Sequence, residues 1–285
     1  MRALLFVAAA ALSACATTQH TSVTAAPVIG AERAFAARAG EIGWIPAFCE
    51  FSAADGQLVG RAGLTPAHDR MCSLPDDGER NLYWAPSFAG IASSGDLGFT
   101  TGPASFDATR TPAIQYFTVW RRQSDGSWKW IYDGGPGQVE GPGPYLAAGA
   151  EVPTLPPVVG VGSAGAAMAQ VNGIEASAGT PWALRRYLAP GAHVYRTGRA
   201  RAYGGPGSEA NLVYPAADVS FVHRRTEASS GGDLVFTLGE AHWTQDGAAK
   251  QGFYARIWQY NASGWRIVYD QLAPWTPPAA QSSRQ

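Results

Sequence analysis

Between Ile29 and Phe51, apolar residues recur at helical spacing. Ala31, Phe35, Ala39 and Ile42 share one face, with Glu32 and Arg33 turned away from it. Arg38 falls on the apolar side and breaks the pattern. A proline inside a helix removes a backbone hydrogen bond, so Pro46 splits the stretch into two helices bent near Gly43-Trp44. Asp55-Gly56 turns the chain into a short strand, Gln57 to Val59. Residues 60–83 carry Pro66, Pro75 and Asp76-Asp77-Gly78 and read as loop. From Trp84 the pattern becomes that of strands: Ser87 to Ala92, Leu97 to Thr101, Ile114 to Arg122, and Ser127 to Tyr132. Ser124-Asp125-Gly126 joins the last two as a hairpin.

The same order then returns. Residues 134–163 hold Gly134-Gly135-Pro136-Gly137, Gly141-Pro142-Gly143-Pro144 and Pro153 to Pro157, a linker composition that cannot continue a helix or a ladder. A helical stretch, Ala164 to Leu188, is interrupted at Gly179-Thr180-Pro181, as Gly43 to Pro46 interrupt the first. Strands follow near His193 to Thr197, Val219 to Thr226, Leu234 to Trp243, Gly252 to Tyr260 and Trp265 to Gln271. Pro274 to Gln285 read as a polar tail. Gly95-Asp96-Leu97-Gly98-Phe99-Thr100 reappears as Gly232-Asp233-Leu234-Val235-Phe236-Thr237, and Trp128 to Asp133 as Trp265 to Asp270, both at an offset of 137 residues. An offset this long implies two copies of a whole domain, since solenoids repeat every ~20–50 residues. Helices first and antiparallel strands after describe an α+β domain.

The ends change the picture. Arg2 followed by the apolar run Ala3 to Leu12 reads as a signal peptide, too short to span a bilayer. Leu12-Ser13-Ala14-Cys15 is similar to a bacterial lipobox, which implies acylation of Cys15; the plainer alternative is an ordinary secretory signal. Ala16 in place of Asp favours the outer membrane, on its periplasmic face. The expected layout is therefore 1–15 signal peptide, 16–27 tether, 28–133 first domain, 134–163 linker, 164–273 second domain and 274–285 tail. Net charge is −1 and charged residues are 15% of the chain. A nucleic-acid groove needs a concentrated basic stripe, and no such partner is expected. The densest basic run, Arg185, Arg186, Arg196, Arg199 and Arg201, is either a solvated face or an anion-binding rim. With Cys15 lipidated, Cys49 and Cys72 are either a disulfide or two buried thiols. Only His68 lies near either thiol, so no zinc site is expected, nor any cofactor.

Several motifs then become diagnostic in combination. These are Ala31-Glu32-Arg33-Ala34-Phe35-Ala36, Trp84-Ala85-Pro86, Ser94 to Pro103, Tyr116-Phe117-Thr118-Val119-Trp120, Asp125 to Lys129 and the closing Asp133. In this order and spacing they resemble the nuclear transport factor 2-like (NTF2-like) superfamily. The resemblance is strongest to its exported SnoaL-like group, domain of unknown function 4440. The second copy keeps mainly the strand motifs and lacks the Ala-Glu-Arg opening. The resemblance implies two cones, each an N-terminal helix pair against a curved antiparallel sheet with a cavity between. Relatives include ketosteroid isomerases, scytalone dehydratase, polyketide cyclases and limonene epoxide hydrolase beside many non-catalytic domains, so fold alone does not assign activity.

Proton transfer in such a cone needs a carboxylate or histidine held in an apolar wall. Asp96 and Asp233 follow glycine at strand starts, where turn aspartates ordinarily cap backbone amides. Asp133 and Asp270 close the last strands, either at a cavity mouth or in solvent. Tyr116, Thr118 and Trp120 alternate onto one face, as do Tyr254, Arg256 and Trp258. These six line the cavities or form an aromatic ladder. Trp128, Trp130 and Trp265 read as core. Glu240 and His242 share a strand face and form either an acid–base pair or exposed polar residues. His68 beside Asp69 reads as solvated loop. Absence of a complete catalytic set favours a non-catalytic module that binds a small apolar ligand or a periplasmic protein. The rival is an isomerase, dehydratase or hydrolase using one cone, and the two sheets are expected to pair within the chain.

Overall fold

The computed structural model describes residues 23–278 apart from 61, 148 and 217. The expected signal peptide, with Cys15 and its expected lipidation, and the greater part of the expected tether lie outside the described residues. The chain opens with α1 (Ala26–Ile42) and α2 (Trp44–Phe51), separated at Gly43, where φ is +100° and glycine is the residue that adopts it without strain. Next come β1 (Ser52–Gly60), β2 (Gly63–Pro66) and α3 (Ala67–Ser73). Strands β3 (Tyr83–Trp84), β4 (Phe88–Ile91), β5 (Leu97–Ser105), β6 (Ile114–Arg122) and β7 (Trp128–Gln138) complete the first half. After β8 (Thr154–Leu155) the second half has α4 (Ala164–Ala178), α5 (Pro181–Leu184), β9 (Leu188–Arg196), β10 (Ala202–Tyr203) and α6 (Gly205–Leu212). It ends in β11 (Ser220–Ala228), β12 (Leu234–Gln245), β13 (Ala248–Asn261) and β14 (Gly264–Trp275).

The fold is α+β, with helices leading into each of two sheets. Strand order is β2-β1-β7-β6-β5-β4-β8 in one and β10-β9-β14-β13-β12-β11 in the other. Both sheets are mixed rather than antiparallel throughout: β1 runs parallel to β7, and β9 to β14. Each parallel pair is a direct consequence of the helix-first order, because the strand leaving the helices joins beside the last strand to be made.

Alternation along the strands sorts side chains between two layers. On β6, Phe117 and Val119 face the other half, while Thr118 and Trp120 face the helices. The Phe117 and Tyr269 rings stack across the seam with centroids 4.0 Å apart, and Phe88 stacks on His193 at 3.9 Å. Tyr132 packs on Phe236 at 5.3 Å. One buried cluster therefore runs through both sheets, from Leu97 and Ile131 to Leu234 and Ile257. Burying a side chain of this size stabilises by about 1.5–3 kcal/mol, so the seam is a principal source of stability. On the other faces, α1 and α2 close a second core around Phe35, Phe48, Trp120 and Trp130, and α4 closes a third around Trp258 and Trp265.

Three sequence expectations are corrected. Residues 60–83 are not all loop: β2 and α3 form there, with Ala67 and Met71 buried. The linker does not begin at Gly134, because β7 continues through Gly134-Gly135-Pro136-Gly137 to Gln138. A bulge in β7, Gly135 and Pro136 opposite the single residue Tyr116, takes up the proline, and a Cβ at Gly135 would collide with the Gln115 carbonyl, so glycine permits this approach. The tail likewise begins later, since Pro274 is paired with Gly252 in β14.

Candidate active site

Helix α1 buries Val28, Glu32, Phe35 and Ala39, a stripe rotated from the one expected. It carries the Glu32 carboxylate, without exposure to solvent, onto the helix-facing side of the first sheet. Trp84 Nε1 donates to Oε1 at 2.5 Å and Trp120 Nε1 to Oε2 at 2.9 Å, and the Thr100 hydroxyl also donates to Oε2. No ion pair to Glu32 occurs among the described residues. Burial pushes its pKa up, against the pull of these donors.

Asp133 stands opposite Thr118 on β7, whose hydroxyl donates to Oδ2 at 2.8 Å. Only 9% exposed, it lines a cavity of about 720 Å³. Burial, reinforced by the nearby Glu32 charge, holds its carboxyl well above the usual carboxylate range. Tyr116 lines the same cavity. Its buried hydroxyl has no hydrogen-bond partner among the described residues, and burial with the Glu32 charge keeps it protonated far above neutral pH. The walls are apolar: Trp44 and Phe48 from α2, Leu58 from β1, Met71 from α3, then Trp84 and Phe106. Cys49 and Cys72 form a disulfide that ties α2 to α3, two elements of that wall.

The second half repeats the frame and fills it differently. Thr237 and Trp258 donate to Glu175 at 2.7 and 2.9 Å, as Thr100 and Trp120 do to Glu32. Arg256 stands where Thr118 does. Its Nε lies 2.5 Å from Asp270 Oδ2 and its Nη1 3.3 Å from Glu175, with Arg196 2.6 Å from Asp270 Oδ1. Both arginines and Asp270 are buried. Desolvation opposes the Arg256 charge, but Asp270 and Glu175 outweigh it and raise its pKa, whereas at Arg196 desolvation prevails and lowers it. The Arg256 guanidinium lies 4.2 Å from the ring centres of Phe221 and Tyr254, and Tyr254 donates to Glu175 at 3.1 Å. Asp270 is thus held between two guanidiniums, one on each carboxylate oxygen.

The structure brings Tyr116, Thr118, Trp120 and Asp133 together around Glu32, and Tyr254, Arg256, Trp258 and Asp270 around Glu175. The remaining candidates lie elsewhere. Asp96 and Asp233 are at the seam. Glu240 pairs with Arg224 at 2.8 Å and with His242 at 3.4 Å, all partly exposed, beside a separate groove. His68 is in α3, 2.9 Å from the Ser52 hydroxyl. Arg196 departs from the solvated basic run, being 2% exposed. Where the first half has its disulfide, Arg185 pairs with Glu209 at 3.6 Å.

Glu32 was not expected at the site. Helical spacing from Val28 (Val28, Glu32, Phe35, Ala39) carries the signal, which is lost when the helix is begun at Ile29. Among the described residues no cluster of His, Cys, Asp and Glu suits a metal ion.

No family model matches the chain, and no curated protein matches it. Similar solved structures include an NTF-2 like protein of unknown function from Shewanella oneidensis MR-1, at 12% identity over 38% of this chain and 98% of that one, TM-score 0.30. Another is the epoxide hydrolase/cyclase-like enzyme SalBIII of pyran ring formation in salinomycin, at 13% identity over 39% and 91%, TM-score 0.31. A third is the CaMKII hub of S. rosetta, at 20% identity over 41% and 99%, TM-score 0.31.

Proposed function

We propose that the first half is an acid–base catalyst acting on a small apolar molecule, and that the second half is a structural partner. The observation behind this reading is the contrast between Asp133, buried but open to a cavity beside an unpartnered tyrosine hydroxyl, and Asp270, locked between Arg196 and Arg256. A carbonyl oxygen placed against Tyr116 accepts its hydrogen bond. In its ionised form Asp133 then takes a proton from the adjacent carbon and returns it elsewhere, burial and the nearby Glu32 charge making it a stronger base than an ordinary aspartate. The Tyr116 hydroxyl, kept protonated, stabilises charge developing on the oxygen. Trp84, Phe48 and Met71 keep water from the reacting atoms. In a purely binding module a buried, pKa-raised carboxyl would be a cost without a purpose, which favours the enzyme over the ligand- or partner-binding reading.

Within this reading the chain is a tandem of NTF2-like, SnoaL-type units derived from residues 28–133 and 164–273, paired within one molecule. The lipobox-like Cys15 supports anchoring at the periplasmic face of the outer membrane, where the substrate is met.

The test is exchange of the acidic α-hydrogens of β-tetralone in D2O, followed by NMR. The protein is expected to accelerate exchange, Asp133→Asn to lose about 100-fold or more, and the surface variant Glu240→Gln to match wild type. Exchange no faster than in buffer, or retained in Asp133→Asn, overturns the assignment.

A further inference from the structure

Resting on the cavity as a substrate site, we infer that its ligand is an apolar body carrying a basic nitrogen, and that anionic ligands are rejected. Two exposed carboxylates, Asp77 and Glu79, line the lip of the cavity, while Asp133 at its floor is driven toward the neutral form by burial. Against them stand Arg70, exposed on α3 and itself in the lining, and Arg80, whose charge also acts on Asp77 and Glu79 but is paired first with Asp76. Glu32 behind the floor is likewise pushed toward its neutral form by burial, so the charge balance is set at the lip. The field inside a low-dielectric cavity follows this balance: it draws a positive group in and raises the cost of a negative one.

Its walls suit the same sign. Aromatic faces attract cations, most strongly when the site is dry. Trp44 stands at the lip with its Nε1 donating to Asp77 Oδ2 at 3.2 Å, so an indole and a carboxylate are joined there. Phe48, Trp84 and Tyr116 continue the aromatic lining inward. Tyr116, 7% exposed, stands at the deep end, its hydroxyl buried beneath the ring surface and without a hydrogen-bond partner among the described residues. A ligand with an oxygen function against Tyr116 and an ammonium near Trp44 and Asp77 satisfies both ends. Glu79 adds its charge although its Oε1 accepts from the Arg80 and Asn81 amides. Asp76, already paired with Arg80 at 2.8 Å, contributes little.

The experiment compares three probes of equal chain length by calorimetry at pH 7: octyltrimethylammonium, octanol and octanoate. Wild type is expected to bind the ammonium about 10-fold or more tightly than octanol, with octanoate weakest. In Asp77→Asn/Glu79→Gln the ammonium is expected to fall to the level of octanol, while octanol itself is unchanged. Octanoate binding as tightly as the ammonium, or all three alike, overturns the charge inference and leaves the cavity reading standing. An ammonium preference that survives in the double variant overturns the assignment to the lip. Binding of none of the three overturns the cavity as a site for apolar ligands, and this inference with it.

Discussion

Asp96 and Asp233 reach across the seam in opposite directions. Asp96 Oδ2 accepts from the Ser230 amide at 2.9 Å, and Asp233 Oδ2 from the Ser93 amide at 2.7 Å. Donors and acceptors are each separated by 137 residues, so each half caps the other's turn in the manner of a two-fold dimer. The sequence motif Gly-Asp-Leu, read as a turn aspartate capping backbone amides, does cap them, but on the opposite half, and so forms a reciprocal lock.

That lock is uneven. Each also accepts from a serine hydroxyl of its own turn, Asp233 from Ser229 and Asp96 from Ser94, but Asp233 is fully buried whereas Asp96 is partly exposed. Asp233→Ala is expected to cost about 2–3 kcal/mol and Asp96→Ala about 1 kcal/mol, because hydrogen bonds to buried charge count for more. Urea unfolding of the two variants measures this. Equal losses would contradict the unevenness, and no loss from either would show that the seam is held by its rings alone.

His193 gives the seam a pH dependence. Stacked on Phe88 and bonded to the Tyr195 hydroxyl at 3.0 Å, it titrates at about 4, because burial and then Arg201 disfavour its charged form. Unfolded, it takes its proton near 6.5. Stability attributable to His193 is therefore full above about pH 6.5 and is lost as pH falls toward 4, by about 3 kcal/mol in all. His193→Gln is expected to flatten this portion of the stability profile. A profile unchanged by the substitution contradicts it.

The buried charges of the second half depend on each other. Arg256→Met leaves Glu175 without its cation and Asp270 with Arg196 alone, and is expected to cost about 3–5 kcal/mol. Thr118→Val, at the matching position of the first half, removes one hydrogen bond and is expected to cost about 1 kcal/mol. Thermal unfolding distinguishes them; comparable losses would mean that Arg256 is not a structural element.

The Cys49–Cys72 bridge closes a separation of 23 residues between two walls of the cavity. On a chain-entropy basis it contributes about 3 kcal/mol. Wild type with reductant and the double Ser variant are expected to unfold at the same lower urea concentration. A midpoint unmoved by either removes the bridge from the account of stability.

Much of this architecture is legible in the residues. Gly43 and Pro46 mark the helix break, and Gly179-Thr180-Pro181 marks its counterpart. Alternation on Tyr116-Phe117-Thr118-Val119-Trp120 assigns the two faces of β6 correctly, but not what each face meets. What escaped was long-range. Gly134 to Gly137 have the composition of a linker and become a strand because β7 bulges there, setting Gly135 and Pro136 against the single residue Tyr116 of β6. The loop-like 60–83 yields β2 and α3 because β1 and α2 offer them partners. Glu32, a charged residue, reads as solvent-facing until Trp84, Thr100 and Trp120 are seen to surround it from distant strands. Likewise nothing local distinguishes Asp133 from Asp270. That difference comes from Thr118 against Arg256, and from Arg196.

One measurement bears most directly on a working first half and a silenced second: the titration of the Asp133 carboxyl by carbon-13 NMR, its signal identified by its loss in Asp133→Asn. We predict a midpoint well above 4, falling when Glu32 is replaced by Gln and unmoved by Glu240→Gln. A midpoint at or below the ordinary aspartate value would mean that Asp133 is a solvated strand end, and the acid–base assignment would be wrong.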